Sequence, residues 1–179
     1  MRRKKAGYPS REWLYYFGES PLGPLCIYFT ERGLSALEFG CPEPAPEGPP
    51  PPPSLGPVME AVNKELAAYF AGVPTDFAAV PLDPQGTPFQ LRVWEELRRI
   101  PRGATISYRE LARRVGSPKG FRAVGQANAV NPLPLIIPCH RVIAADGSLG
   151  GYSSGLDRKH WLLRHEGAGE LKPPPASRI

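Results

Sequence analysis

One stretch of the sequence places reactive side chains side by side: Ile137-Pro138-Cys139-His140-Arg141-Val142-Ile143. A thiol attacks as thiolate, and an adjacent imidazole can take its proton or stabilise its negative charge. The apolar run that begins at Leu133 predicts a nearly buried strand or turn, where an isolated cysteine is inert packing. Cysteine and histidine as neighbours, fenced by Pro138 and followed by Arg141, point instead to a reactive site. His160 and His165 match no ligand role and are read as surface or packing residues.

Two sets of elements must position that thiol. In the first half, Trp13 to Phe17 and Leu25 to Thr30 are runs rich in aromatic and β-branched residues, separated by Gly18-Glu19-Ser20-Pro21-Leu22-Gly23. They read as a hairpin, and Leu34 to Phe39 as a third strand of a small antiparallel sheet. Cys41 to Pro57 is rich in proline, with Pro49 to Pro53 uninterrupted, and reads as a stiff extended surface insertion. Helical periodicity returns at Val58, Val62, Leu66 and Phe70, and Gly72-Val73-Pro74 ends it. Residues 73–86 read as a strand edge and linker.

The second half opens with Thr87 as N-cap and Pro88 at the first helical position. Phe89, Val93, Leu97 and Ile100 form an apolar stripe with Trp94 beside it. Ser107-Tyr108-Arg109-Glu110 reads as a capping box that starts a short helix through Val115. Gly116 stops it, and Ser117-Pro118 predicts the start of another helix over Lys119 to Val130. Two short helices around a glycine turn make a helix-turn-helix, a unit used for DNA binding and also for plain packing. The second helix has little bulk: Ala123 and Ala127 lie one turn apart, with Gly125 and Ala129 on an adjoining face. So smooth a face suits close approach to a groove, with Arg122 as the projecting cation.

Composition narrows the classes. At 179 residues, with 41% hydrophobic and 22% charged side chains, the chain can build one large core or two small ones. No apolar run is long enough to cross a bilayer. Met1-Arg2-Arg3-Lys4-Lys5 resembles the start of a signal peptide, but Gly7-Tyr8-Pro9-Ser10-Arg11-Glu12 stands where its apolar segment belongs, so a solvated basic tail is expected. Cys26, Cys41 and Cys139 are too few and scattered for a disulfide framework, so free thiols in a reducing cytoplasm are expected. Residues 6–83 hold three Lys/Arg against ten Asp/Glu, whereas residues 84–179 hold fifteen against seven. The basic half is the one expected to meet a polyanion.

These residues resemble the O6-alkylguanine-DNA alkyltransferases, the methylated-DNA–protein-cysteine methyltransferases. The 137–143 stretch is similar to that family's whole active-site motif. The likeness runs through Gly86-Thr87-Pro88-Phe89-Gln90, Ile106-Ser107-Tyr108, Arg122-Ala123-Val124-Gly125, Asn131-Pro132 and Gly151-Tyr152-Ser153 to His165-Glu166-Gly167. Ser20-Pro21-Leu22-Gly23-Pro24 and Leu34 to Gly40 resemble the N-terminal domain less strongly.

The resemblance implies single-turnover repair: an O6-alkylguanine is swung out of duplex DNA, because its reacting atom is unreachable in the stack, and its alkyl group passes irreversibly to Cys139. O4-alkylthymine is a second candidate substrate. His140 would draw the thiol proton through a water, with Glu166 orienting the imidazole, and Asn131 would tie the active-site turn to the helix-turn-helix. Asn131 also reads as a turn former before Pro132, and Glu166 as a helix-end salt bridge. Tyr108, Val142, Tyr152 and Ser153 would hold the guanine. Arg122, Tyr108, Ala123, Gly125, Gln126 and Ala127 would meet the DNA, docking in the minor groove with Arg122 filling the gap left by the base. No cofactor is implied. With Cys26 and Cys41 and no histidine in the N-terminal half, the zinc site of some relatives is not expected. Nor is an extra regulatory domain.

The expected architecture is an α/β N-terminal domain, ribonuclease H-like with a mostly antiparallel sheet, followed by a mainly α helix-turn-helix domain, winged-helix-like with a short wing. The expected divisions are a basic tail over 1–10, the first domain over 11–83 with its proline insertion at 42–57, the DNA-binding and catalytic domain over 84–170, and a tail over 171–179. The expected molecule is a cytoplasmic monomer that acts on double-stranded DNA, touches no membrane, and has cooperative assembly on DNA open to it. Two rivals stand beside this reading. A non-catalytic lesion-binding module that recruits repair factors has no need of Cys139. A transcription regulator needs base-reading polar side chains where the second helix offers mostly Ala and Gly.

Overall fold

The computed structural model describes residues 13–18, 20–41 and 49–169, so the basic tail, residues 42–48 of the proline insertion and the tail over 171–179 lie outside the described residues. Strands β1 (Trp13–Phe17), β2 (Leu25–Thr30) and β3 (Gly33–Phe39) form an antiparallel sheet in chain order, as their aromatic and β-branched runs and intervening turns predict. Leu25, Ile27 and Phe29 share the core face, all with no exposure. Gly33 starts β3 at φ +142°, where a Cβ would stand 2.3 Å from the Pro81 carbonyl oxygen. That close approach lets Leu34 donate to Pro81 and Asp83 donate back to Leu34, a parallel bridge that places the 81–83 segment along β3.

The cysteine expectation is corrected here. Cys26 and Cys41 form a disulfide, with Cα atoms 5.2 Å apart, leaving Cys139 as the free thiol. Antiparallel pairing of Leu25 with Phe39 brings the strand ends together, and the Gly40 and Cys41 amides both bond the Pro24 carbonyl, which folds position 41 back over position 26. Fifteen residues of separation hide what the sheet register enforces.

Helix α1 (Gly56–Phe70) packs Val62, Leu66 and Tyr69 inward. The stripe expected from a strict four-residue spacing ran through Phe70; at 3.6 residues per turn the inward line passes instead to Tyr69. Helix α2 (Pro88–Arg98) has the Thr87 cap, reciprocated by Gln90, and buries Val93, Trp94 and Leu97. Strand β4 (Ile106–Ser107) leads into α3 (Tyr108–Arg114). Ser107 caps it by accepting from the Glu110 amide, but Glu110 does not return the bond: its carboxylate is taken by Arg113 and Arg114. Gly116, at φ +73°, turns the chain. The next helix, α4 (Phe121–Ala129), begins later than Ser117-Pro118 predicts, with Gly120 as its N-cap, because Gly120 donates to the Ser117 carbonyl and closes a turn first.

A 3-10 turn (Cys139–Arg141), strand β5 (Val142–Ile143) and α5 (Leu156–His165) complete the described chain. Strand β5 pairs with β4 in parallel, Ile106 opposite Val142. The Leu37 amide donates to the Pro132 carbonyl, so the sheet holds the segment leading to Cys139 directly.

Candidate active site

Cys139 opens the 3-10 turn after Pro138 and is 2% exposed. Its backbone is fastened from two directions. Asn128 of α4 donates to the Cys139 carbonyl at 3.3 Å, and Asn131 donates to the Ile137 carbonyl at 2.7 Å while accepting from the Leu133 amide. The Asn131 carbonyl oxygen thus shapes the turn after it, and its amide nitrogen holds the segment before the cysteine. Burial pushes the Cys139 thiol up, opposed by a hydrogen bond from Asn131, the Lys159 ammonium and the Tyr152 hydroxyl. At rest the group is a thiol, so an acceptor for its proton is required.

The next residue in the chain is His140. Its ring is fully buried, and Nε2 lies 2.9 Å from Glu166 Oε1. A carboxylate accepts only, so Nε2 carries the hydrogen and Nδ1 is left as a bare lone pair. Among the described residues Nδ1 is buried with no hydrogen-bond partner. Burial depresses the His140 pKa, outweighing the pull of Glu166 in the other direction, so the ring is neutral and ready to accept. Burial also works against the charge of Glu166. Hydrogen bonds from His140 and Arg141 overcome it and hold the carboxyl well below the usual carboxylate range. Arg141 grips Glu166 in a fork, Nε to Oε2 at 2.8 Å and Nη2 to Oε1 at 2.9 Å, and its Nη1 bonds the Ile100 carbonyl. Glu166 is thus more than a helix-end ion pair.

The far wall is a loop stapled by Lys159. This side chain has no exposure, and its ammonium donates to the carbonyls of Val142 at 2.6 Å, Leu149 at 2.5 Å and Gly151 at 3.3 Å. Tyr108 stands over the loop, its hydroxyl 3.4 Å from the Gly151 carbonyl and its ring between Gly125 and Gly150. A Cβ at Gly150 would lie 3.3 Å from that ring. Burial first, and then the charge of Cys139, raise the pKa values of Tyr108 and Tyr152. Ser153 is exposed at the loop's rim.

On α4, Phe121, Arg122, Ala123 and Gln126 are exposed, and Gly125 is half-buried against Tyr108. Ala127 is a correction. It is 3% exposed and its carbonyl accepts the Trp94 indole hydrogen at 2.9 Å, so it faces α2 rather than sharing an open face with Ala123. Four residues subtend about 400°, and the 40° excess carries Ala127 over the helix edge into the core. Sequence reading also assigned no role to Asn128, Lys159 or Tyr69. Lys159 sits in Asp157-Arg158-Lys159-His160, a run that looks like solvated surface, and nothing in its type betrays burial. Among the described residues no three His, Cys, Asp or Glu side chains gather as a metal site, and no helix is long and apolar enough to cross a membrane.

A buried thiol followed in the chain by an imidazole that a carboxylate holds, and tied to a helix-turn-helix through Asn128, defines a cysteine-centred protein with a helical unit beside its site. Residues 13–84 match the family described as 6-O-methylguanine DNA methyltransferase, ribonuclease-like domain, and residues 88–168 match its DNA binding domain. A Methanosarcina acetivorans methylated-DNA–protein-cysteine methyltransferase is 44% identical over 154 residues, covering 86% of this chain and 98% of that one. The crystal structure of Mycobacterium tuberculosis O6-methylguanine methyltransferase superposes with a TM-score of 0.72 at 41% identity, over 88% of this chain and 93% of that one. That of M. tuberculosis OGT in complex with DNA gives 0.71 at 39% identity, over 85% and 91%. The chain belongs to the methylated-DNA–protein-cysteine methyltransferase family.

Proposed function

We propose that this protein repairs DNA by direct reversal, moving the alkyl group of O6-alkylguanine irreversibly onto its own Cys139. The observation that carries the reading is the buried, unpartnered Nδ1 of a neutral His140, held by Glu166 and next in the chain to the free thiol of Cys139. Nδ1 takes the thiol proton, by way of a water as the family resemblance implies. The sulfur then attacks the alkyl carbon, the S–C bond forms as the C–O6 bond breaks, and the electron pair stays on O6. Uptake of one proton restores guanine, and His140 is left protonated until it exchanges with solvent. Because the new thioether is not hydrolysed, each molecule reacts once.

The extrahelical base is held by Tyr108, Tyr152 and the Val142 and Ser153 backbone. The Val142 carbonyl already accepts from Lys159 and uses its second lone pair for the guanine edge. DNA docks on α4 through Arg122, Ala123 and Gln126, with Gly125 giving Tyr108 room and Arg122 filling the space the base vacates. Ala127 acts from behind, setting the helix against Trp94. The protein is a monomer on DNA in this reading. Cytoplasmic placement rests on where DNA is found, since the Cys26–Cys41 disulfide removes the argument from free thiols. The sheet with α1 is read as ribonuclease H-like, and α3 with α4 as a winged-helix-like helix-turn-helix.

The test is intact mass after incubation with duplex DNA carrying one O6-methylguanine, for wild type and Cys139→Ala. The expected result is one added methyl on wild type alone, on the Cys139 peptide, stopping at one equivalent. Tight lesion binding without mass gain would overturn the transfer reading in favour of a lesion-binding module.

A further inference from the structure

Glu166 Oε1 accepts three hydrogen bonds: from His140 Nε2 at 2.9 Å, from Arg141 Nη2 at 2.9 Å and from the Tyr69 hydroxyl at 2.8 Å. The first two donors belong to the active-site turn. The third comes from the end of α1, 97 residues away in sequence. Tyr69 is 1% exposed, and a ring packed that deeply would be served as well by phenylalanine, were it not for the hydroxyl's bond to Glu166. The ring cannot swing away. The Tyr69 carbonyl accepts from His165 Nε2 at 2.6 Å, and the Arg102 guanidinium lies 5.2 Å from the ring centroid while donating to the His165 carbonyl. The residue is thus fastened to α5 just before Glu166.

We infer that Tyr69 is a positioning residue: its hydroxyl pins Oε1 of Glu166 so that the carboxylate meets His140 through Nε2 alone and leaves Nδ1 facing the reaction. This inference rests on the proposed alkyl transfer and extends it, because it brings the N-terminal sheet domain into a proton relay otherwise housed wholly in the C-terminal half. The sign of its effect follows from charge. A hydrogen bond to Oε1 draws off negative charge, which weakens the pull of Glu166 on a proton held by His140. The groups facing the pair are Tyr69 from α1, Arg141 from the 3-10 turn and Lys159 from α5, while Arg102 from the loop after α2 and His165 from α5 face Tyr69 itself. Of these, Tyr69 alone can be stripped of one hydrogen bond without altering net charge or the ring that fills the core.

The experiment compares wild type with Tyr69→Phe in the full chain by two readouts. The first is the imidazole resonances of His140 followed against pH by NMR, which needs no substrate. The second is the single-turnover methyl-transfer rate against pH at saturating DNA. The His140 titration and the acid limb of the rate profile are both expected to move up together in the variant, by roughly 0.5–1 pH, the weight of one hydrogen bond. DNA affinity is expected to stay within about 2-fold, since the hydroxyl lies in the protein interior. A lower melting temperature with an unmoved His140 titration would make Tyr69 structural only and overturn the inference. Failure of wild type to transfer methyl would instead sink the proposed function, and the His140 titration would still decide the role of Tyr69.

Discussion

Replacing Lys159 with methionine tests whether a single buried ammonium holds the recognition loop. Methionine keeps an unbranched apolar stem, in a side chain one atom shorter than that of lysine, and removes all three donors. The carbonyls of Val142 and Leu149 are buried, and that of Gly151 is partly so. Each buried carbonyl left without a donor costs about 1–3 kcal/mol. Against that stands relief of a buried charge, whose desolvation pulls the Lys159 pKa down to about 8. The difference is a loss of about 2–4 kcal/mol, or roughly 4–16 °C in melting temperature for a chain of this size. The ammonium is also a cation acting on the thiol, lowering the Cys139 pKa, so methyl transfer near neutral pH is expected to slow as well. Urea unfolding followed by tryptophan fluorescence, with transfer kinetics on the same preparation, measures both. A loss under about 1 kcal/mol with an unchanged transfer rate would refute the reasoning, because it would mean the three carbonyls find other donors or solvent at no penalty.

Two further outcomes follow from the same network. Glu166 and His140 both have folded pKa values below their ordinary ones, so the unfolded chain takes up their protons first on acidification. The contribution of these two groups is therefore full above about 6.5, begins to fall as His140 of the unfolded chain titrates, and falls more steeply below about 4.5. Glu166→Gln is expected to be less stable at neutral pH, yet to lose the steeper acid step; urea midpoints at several pH values decide it, and an unchanged acid step would refute the assignment. Arg122→Ala is expected to reduce the salt slope of DNA binding by about 1 and to slow extrusion of the damaged base. Binding isotherms across salt and a fluorescent base analogue report these separately, and an unaltered slope would move Arg122 off the DNA.

Much of the site was legible because its chemistry is local. Cys139, His140 and Arg141 are consecutive, and Thr87-Pro88, Ser107 and Gly116 mark helix ends through interactions spanning four residues or fewer. The errors share a different character. Ala127 was placed on an open face because a spacing of four approximates one turn, and only packing against Trp94 shows which side of the helix it takes. Cys26 and Cys41 looked unrelated until the register of β2 against β3 brought them together.

By itself the sequence determined the reactive pair, the three strands of the first sheet, the helices α1 to α4, and the family to which they belong. These depend on residue type and on neighbours a few positions away. The tertiary structure decided which nitrogen of His140 is free, that Lys159 is an interior cation rather than a surface one, and that Tyr69 reaches Glu166 across 97 residues. A proton's place depends on the groups within one hydrogen bond of it, and chain closure alone brings those groups together.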